Sequence, residues 1–573
     1  MKYFLPLLTL AALFLAASCG RPQPAETADL ILINGNIYTV DSLQMSAQAI
    51  AVKGERILKV GSNEDIQQLK GDSTQVIDLE GKFLMPGFIE GHGHYAGLGS
   101  SLMNLNFLKS KSWDDIVKLV EQRAKSARRG DWIVGRGWHQ EKWTKPIEKA
   151  VLGYPYHDSL SAISPDNPVI LSHASGHSLF ANAKAMELAG ITADTPNPPG
   201  GEIVRDARGT AIGVFEERAM SLITKAYDAY LASLSSEQKK EQWLKGIELA
   251  EQECLSKGIT SFQDAGSSFQ EMEWYRELAE AGRMKVRLWA MVRHPYHTLK
   301  GKIDAYPVID AGNGYFTCRA IKSELDGALG AYGAWLLAPY DDKPGFSGQN
   351  TTPIEEVRRI AGLALERNMQ LCVHTIGDKA NRELLNLCEE LFRSQPNAKD
   401  LRWRSEHAQH IDPVDIPRFP QIGIIAAMQG IHCTSDAPFV VKRLGEERAR
   451  TGAYPWRSLL DAGAVVTNGT DAPVEDVSAL ESFYASVTRK RADTGMAFFP
   501  EQRMTRAEGV YSYTLANAYA AFEEKNKGSI EAGKLADFVV LSNDLLNCPD
   551  EDILSTRVLM TIVRSEERRV GKE

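Results

Sequence analysis

GKFLMPGFIEGHGHYAG, residues 81–97, decides the fold. The apolar run FLMPGFIE leads directly into His92-Gly93-His94. In an extended strand residues two apart point to the same face, so both imidazoles can approach one metal. Imidazole suits zinc and similar borderline metals. The same stretch also scans as GxGxxA, from Gly91 to Ala96. A dinucleotide site is rejected, because histidines would stand where backbone must approach pyrophosphate and no convincing Rossmann strand ending in an acid follows. The glycines are read instead as letting the chain turn closely around a metal.

Three further segments end in matching ligand types. VHTIGD puts His374 at a strand end, SEHAQH offers His407, and TNGTDAP offers Asp471. A lone histidine is more often a hydrogen-bonded core residue, but four polar strand ends of one pattern are harder to assign to packing. LRWRSE before His407 and Ile-Asp-Pro after His410 favour strand then loop over a helix-face pair. There is no HExxH, so a zincin-type protease has no support. WLKGIELAEQECLSKGITSFQDAG (243–266) reads as helix, glycine stop and strand, and IEEVRRIAGLALERNMQLCVHTIGD (354–378) repeats it, with the helix ending near Asn368. Such alternation implies a parallel α/β sheet or barrel, and a (β/α)8 barrel carries its chemistry at the C-terminal ends of its strands.

Working outward, residues 29–60 alternate apolar and polar side chains with turns at Asn34-Gly35 and Lys53-Gly54, which is hairpin grammar. GSIEAGKLADFVVLSND (528–544) has the same character. Two β-rich ends around a long α/β middle predict one small composite β-sandwich domain built from residues 29–85 and 526–563, flanking a TIM-like barrel over 86–525. Residues of about 105–250 break the alternation and are read as an insertion over the barrel mouth, with a hairpin turning at Asp206–Gly209. Within it Trp138 is a candidate pocket residue.

The chain has 573 residues, 43% of them hydrophobic, with 65 basic and 74 acidic side chains. That excludes disorder and small disulfide scaffolds, and a net charge of −9 argues against a nucleic-acid partner, since phosphate affinity needs a basic surface. Residues 1–19, one Lys2 and then an apolar run ending in Leu15-Ala16-Ala17-Ser18-Cys19, are too short for a comfortable membrane span and read as a secretion signal. They resemble a bacterial lipoprotein signal, which would place a lipid on Cys19, a tether over 20–28, and the mature chain on a membrane facing the periplasm; the alternative is an ordinary signal peptide with an incidental Cys19, which would leave the chain periplasmic. The membrane is expected to be a partner only through that anchor. The remaining six cysteines have no CxxC pair and are expected to be buried free thiols. The last ten residues, RSEERRVGKE (564–573), are charged and do not alternate, so no closing strand is expected there.

The order HxH, Lys, His, His, Asp within β-rich termini resembles the amidohydrolase superfamily of metal-dependent hydrolases, and in it the amidohydrolase 3, YtcJ-like group. GRGWHQEKW, SGHSLFANAKAMELAGI, GITSFQDAG, IKSELDGALGAYGAWLLAPY, NGTDAPVED and GSIEAGKLADFVVL carry the likeness across nearly the whole chain. The resemblance implies that His92 and His94 hold a first divalent metal, zinc by preference, that His374 and His407 hold a second, and that Asp471 is a further ligand. It implies that Lys322 in IKSELDG is carboxylated and bridges the two ions, since an unmodified lysine is repelled by cations; without modification a single ion is expected. It also implies substrate contacts for His177 and Asn182. The group more often has an acid where His139 stands, so no role carries over to that position.

The chemistry expected from this set is hydrolysis of an amide or other C–N bond of a small molecule. A divalent metal acidifies bound water, and Asp471 accepts its proton as general base and passes it to the leaving group. Two alternatives remain open at the level of sequence: deamination or cyclic amide or ester hydrolysis on the same fold, and a solute-binding lipoprotein without turnover, which would have no need of Asp471 as base. A homodimer is a further expectation.

Overall fold

Eight parallel strands form the centre of the computed structural model, which describes residues 26–564 except 108, 141–142, 146, 174–177, 331 and 395–399, together with the strand Glu566–Arg569. Numbered along the barrel they are β1 Phe88–Gly93, β2 Ile259–Ser267, β3 Arg287–Val292, β4 Phe316–Glu324, β5 Gln370–Thr375, β6 Arg404–His407, β7 Ile425–Gln429 and β8 Val466–Gly469. Each pairs in parallel with the next. The sheet curls until the turn after β8 meets β1, where Asp471 N–H donates to His92 O at 2.7 Å. A TIM-like barrel is therefore present, and helices separate its strands.

These strands are buried on both faces, as parallel strands under helices must be. Helix Ile354–Glu366 shows how the sequence builds its outer layer. Val357, Ile360, Ala361 and Ala364 are buried, at the spacing of one helical face. It ends at Arg367, and Asn368 takes a left-handed φ of 50° before β5.

The termini meet in one sheet. Phe83–Pro86 pairs antiparallel with Phe538–Leu541 in the register Leu84↔Val540, and parallel to Asn36–Tyr38. A second, four-stranded sheet holds Ala28–Ile33, Ala49–Lys53, Arg56–Gly61 and Lys70–Asp78. Leu32, Ile50 and Ile77 from it share one apolar cluster with Leu84, Phe538 and Ile562. The charged tail differs from expectation: Glu566–Arg569 pairs antiparallel with Val558–Val563. An edge strand is held by main-chain hydrogen bonds, so it needs no apolar alternation on its outer side.

The insertion folds around its own six-stranded sheet, spanning Leu105–Asn106 to Ala211–Glu217, over two apolar clusters. The hairpin Gly201–Arg205/Ala211–Glu217 lies where it was read. The expected end near 250 overruns: helix Ser236–Ser256 belongs to the barrel layer, against helix Tyr95–Met103 and β2. Their contact needs glycine, because a Cβ on Gly99 would lie 2.3 Å from Gly246 O.

No described helix is long and apolar enough to cross a membrane. The signal segment, Cys19 and His177 lie outside the described residues. The six described cysteines are unpaired, five of them buried.

Candidate metal centre

At the C-terminal ends of β1, β5, β6 and β8 the expected residues come together. Alternation on the strands aims Glu90 and His92, Lys322, His374, and Arg404 and Glu406 inward, around an interior of Ala265, Trp289, Met291, Ala320 and Cys372. His407 follows Glu406 by one residue and by alternation belongs on the other face. A left-handed φ of 76° at His407, followed by 42° at Ala408, takes it out of that pattern. Asp471 is also left-handed, with φ 58°. Backbone held in this region by non-glycine residues is costly and clusters at functional sites.

One ligand atom each from His92, His407 and Asp471 lies within 4.8 Å of the others. His94 Nε2 is 3.2 Å and His92 Nε2 3.5 Å from Asp471 Oδ1. The His374 ring centre is 4.3 Å from that of His407, and the His92 ring centre 4.8 Å. His92 Nε2, His374 Nε2 and Asp471 Oδ1 are buried without a hydrogen-bond partner among the described residues. Buried polar atoms are ordinarily paired, so such a cluster fits a divalent cation, and its imidazole and carboxylate donors suit zinc.

Electrostatics agree. Burial pushes His374 down to about 3, with nearby Lys322 adding to the effect, and burial drives His407 well below its ordinary value. Both are neutral at pH 7, the form that ligates. Burial alone would raise Asp471, but His92 and His94 more than reverse it and hold the carboxyl well below its usual range. Lys322, 3% exposed on β4, has its pKa lowered, chiefly by burial.

Neighbours not singled out from the sequence orient these candidate ligands. His92 Nδ1 donates to the Glu406 carboxylate in a short bond, which leaves Nε2 for the site. His407 Nδ1 donates to Gln429 Oε1 at 2.6 Å, while Gln429 Nε2 donates to Ala427 O at 3.0 Å, so the amide cannot turn. Partners of this kind fix tautomer and ring direction in metal sites. Glu406 is held in turn by Arg404, whose Nε is 2.6 Å from Oε1 and whose Nη2 donates to Oε2 at 3.0 Å. Glu90 accepts from Thr470 N at 2.6 Å and His92 N at 3.3 Å, tying the Asp471 turn to β1; burial raises its pKa to about 8. Asp264 accepts from Tyr95 N at 2.8 Å, steadying the turn that carries His94. Asp326 accepts from the main chain of Trp335, Ile376 and Gly377 at 2.7–2.9 Å and lies 3.8 Å from His374 Nε2. The one available signal was charge inside an apolar strand, as in LRWRSEH, where Arg404 and Glu406 are two apart.

Other expectations change. Asn182 is fully buried as the N-cap of helix Ala183–Leu188. Its Oδ1 accepts from Ala185 N and Val169 N, and its Nδ2 donates to Ser164 and Asn167. No capacity is left for substrate. Trp138 is fully buried too, with Nε1 donating to Leu171 O at 2.8 Å and its ring against Trp143, Tyr154, His173 and Phe180. It is core of the inserted sheet, not pocket lining. Gly91 serves close packing rather than a turn about a metal: a Cβ there would lie 2.3 Å from Asn517 Oδ1 and 2.4 Å from Asn468 O.

The comparisons agree with this geometry. The family model described as "Amidohydrolase family" matches residues 75–567. The putative amidohydrolase YtcJ of Bacillus subtilis is 31% identical over 89% of this chain and 93% of its own. N-substituted formamide deformylase of Arthrobacter pascens is 29% identical over 94% of this chain and 98% of its own. An uncharacterized metal-dependent hydrolase from Pyrococcus horikoshii superposes with a TM-score of 0.71 at 25% identity, covering 91% of this chain and 99% of that one. The chain belongs to the amidohydrolase family and is a hydrolase of carbon–nitrogen bonds.

Proposed function

We propose that this enzyme hydrolyses the amide bond of a small N-acyl or N-formyl amine, with Asp471 as general base. The observation that carries the reading is the group of ligand atoms from His92, His407 and Asp471 within 4.8 Å of one another at the barrel mouth, with His92 Nε2 and Asp471 Oδ1 buried and unpartnered among the described residues. Similarity along nearly the full length of an N-substituted formamide deformylase supports the substrate class. His92, His94, His374, His407 and Asp471 would hold one or two divalent ions, zinc by preference. Such a cation supplies acidified water and polarises the scissile carbonyl. The chain does the rest. Glu406 and Gln429 keep the Nδ1 protons of His92 and His407 turned away from the site, and Asp471 takes the proton of the attacking water and delivers it to the leaving nitrogen. Lys322 in its buried, pKa-lowered state is disposed to be the free amine that reacts with carbon dioxide, giving an anionic carbamate and releasing a proton. The chain is read as exported and anchored through Cys19, with a homodimer as its assembly.

The test is metal analysis of purified protein, then a screen of N-acyl and N-formyl amines with Asp471→Asn beside the parent. Turnover that chelation removes and zinc or manganese restores is expected, with kcat per bound metal lowered about 10²–10⁴-fold in the variant. Unchanged hydrolysis by the variant removes Asp471 from its role. Protein that carries no metal and gains none overturns the reading.

A further inference from the structure

Helix Gly430–Leu444 starts directly after β7 and brings to the site a buried histidine that the chemistry above does not use. His432 is 9% exposed, and its Nε2 has no hydrogen-bond partner among the described residues. Its ring lies nearly parallel to that of His407, with centres 6.1 Å apart and 16° between the planes. It does not join the group of ligand atoms formed by His92, His407 and Asp471. An imidazole placed only for packing would be expected to bond both nitrogens, since buried polar atoms are rarely left single.

One helical turn further on, Asp436 shares its face of the helix. Asp436 Oδ2 accepts from Tyr454 Oη at 2.6 Å and from Gln409 Nε2 at 3.1 Å. Gln409 also donates to Tyr454 Oη at 2.8 Å. The carboxylate beside His432 is thus fixed from two other loops, and the helix that carries the imidazole is pinned against the strand end bearing His407.

We propose that His432 is a catalytic residue that donates its Nε2 proton in a hydrogen bond to the scissile carbonyl oxygen and stabilises the oxyanion as it forms. Asp471 lies against His92 and His94, and His432 lies beside the ring of His407, so each borders different rings at the site. An amide held between them presents its nitrogen to Asp471 and its oxygen to His432. The assignment rests on the amide-hydrolase reading.

The experiment uses zinc-loaded full chain with His432→Phe, which keeps ring and stacking but removes the donor, and His432→Gln, which restores one. Three quantities are measured: kcat and KM on the best amide of the screen, bound zinc, and affinity for an N-alkyl phosphonamidate that mimics the tetrahedral intermediate. Loss of one such donor is expected to lower kcat about 10²–10³-fold in His432→Phe, with KM and zinc content little changed. His432→Gln is expected to recover part of the rate, and the phosphonamidate to bind His432→Phe at least tenfold more weakly than the parent. A kcat within twofold of the parent, or zinc lost together with activity, overturns the assignment. If the parent binds the phosphonamidate through His432 but cleaves no amide, the hydrolase reading fails and the contact stands. If the parent neither cleaves nor binds, both fall.

Discussion

Arg404→Met tests the network that orients His92. Arg404 and Glu406 have fully buried side chains. Arg404 also donates to Gln263 Oε1 at 2.5 Å and Gly91 O at 2.8 Å. Deleting the cation strands a buried carboxylate, which costs about 3–5 kcal/mol. The depressed carboxyl of Glu406 points the same way. Burial alone would raise Glu406, but Arg404 and His92 reverse this and bring it from 4.5 to about 2. At about 1.4 kcal/mol per unit this is about 3 kcal/mol. The folded pKa is depressed, so this stability is present above pH 4.5 and is lost as pH falls towards 2. Urea denaturation of chelator-treated protein, followed by tryptophan fluorescence, reads the loss; Trp289 lies under the Arg404 guanidinium, 5.7 Å from it. The double variant Arg404→Met/Glu406→Gln removes both charges while keeping an acceptor for His92 Nδ1. Its loss should fall short of the summed single losses by about 1–3 kcal/mol. Glu406→Met, which leaves His92 without that acceptor, should weaken zinc binding about 10–100-fold in a chelator competition. Additive single losses, or zinc affinity untouched in Glu406→Met, would refute the network's role.

Burial pushes His410 down to about 3, with Arg448 adding to the effect. The native state therefore binds fewer protons than the unfolded chain between about 3 and 6.5, and stability is lost as pH is lowered from 6.5 towards 3. His410→Gln should flatten the acid limb of a stability–pH curve, and an unchanged slope would count against it. Asn182→Ala removes an N-cap and leaves buried main-chain groups unpaired. It should cost about 1–2 kcal/mol with KM unchanged, whereas a raised KM at full stability would restore the substrate role. Because Trp138 is core to the inserted sheet, Trp138→Ala should cost about 3–5 kcal/mol in thermal or urea unfolding, and a loss below 1 kcal/mol would show that the ring is not packed there.

The legible part of the fold rested on local grammar. Helix Ile354–Glu366, the hairpin at Asp206–Gly209 and the strand ends bearing His92, His374 and Asp471 follow from apolar periodicity and turn residues that neighbours in sequence specify. Ligand types were legible for a similar reason, since few side chains bind a divalent cation and they fall at strand ends. The partners of those ligands were not. Glu406 and Arg404 look like ordinary charges until β6 is rolled against β1 and β2, which sets them beside His92, Gly91 and Gln263. Asn182 fits a pocket as well as a cap in sequence, and only the closure of Val169 and Ser164 around it decides the matter. The tail Glu566–Arg569 shows the converse, because main-chain pairing to a neighbouring strand overrode a side-chain pattern that argued against one. Sequence alone determined which residue types able to bind a cation stand at strand ends and on which kind of element. The tertiary structure decided which of them meet, because a barrel joins strand ends hundreds of residues apart and burial then sets the charge and hydrogen bonding of each.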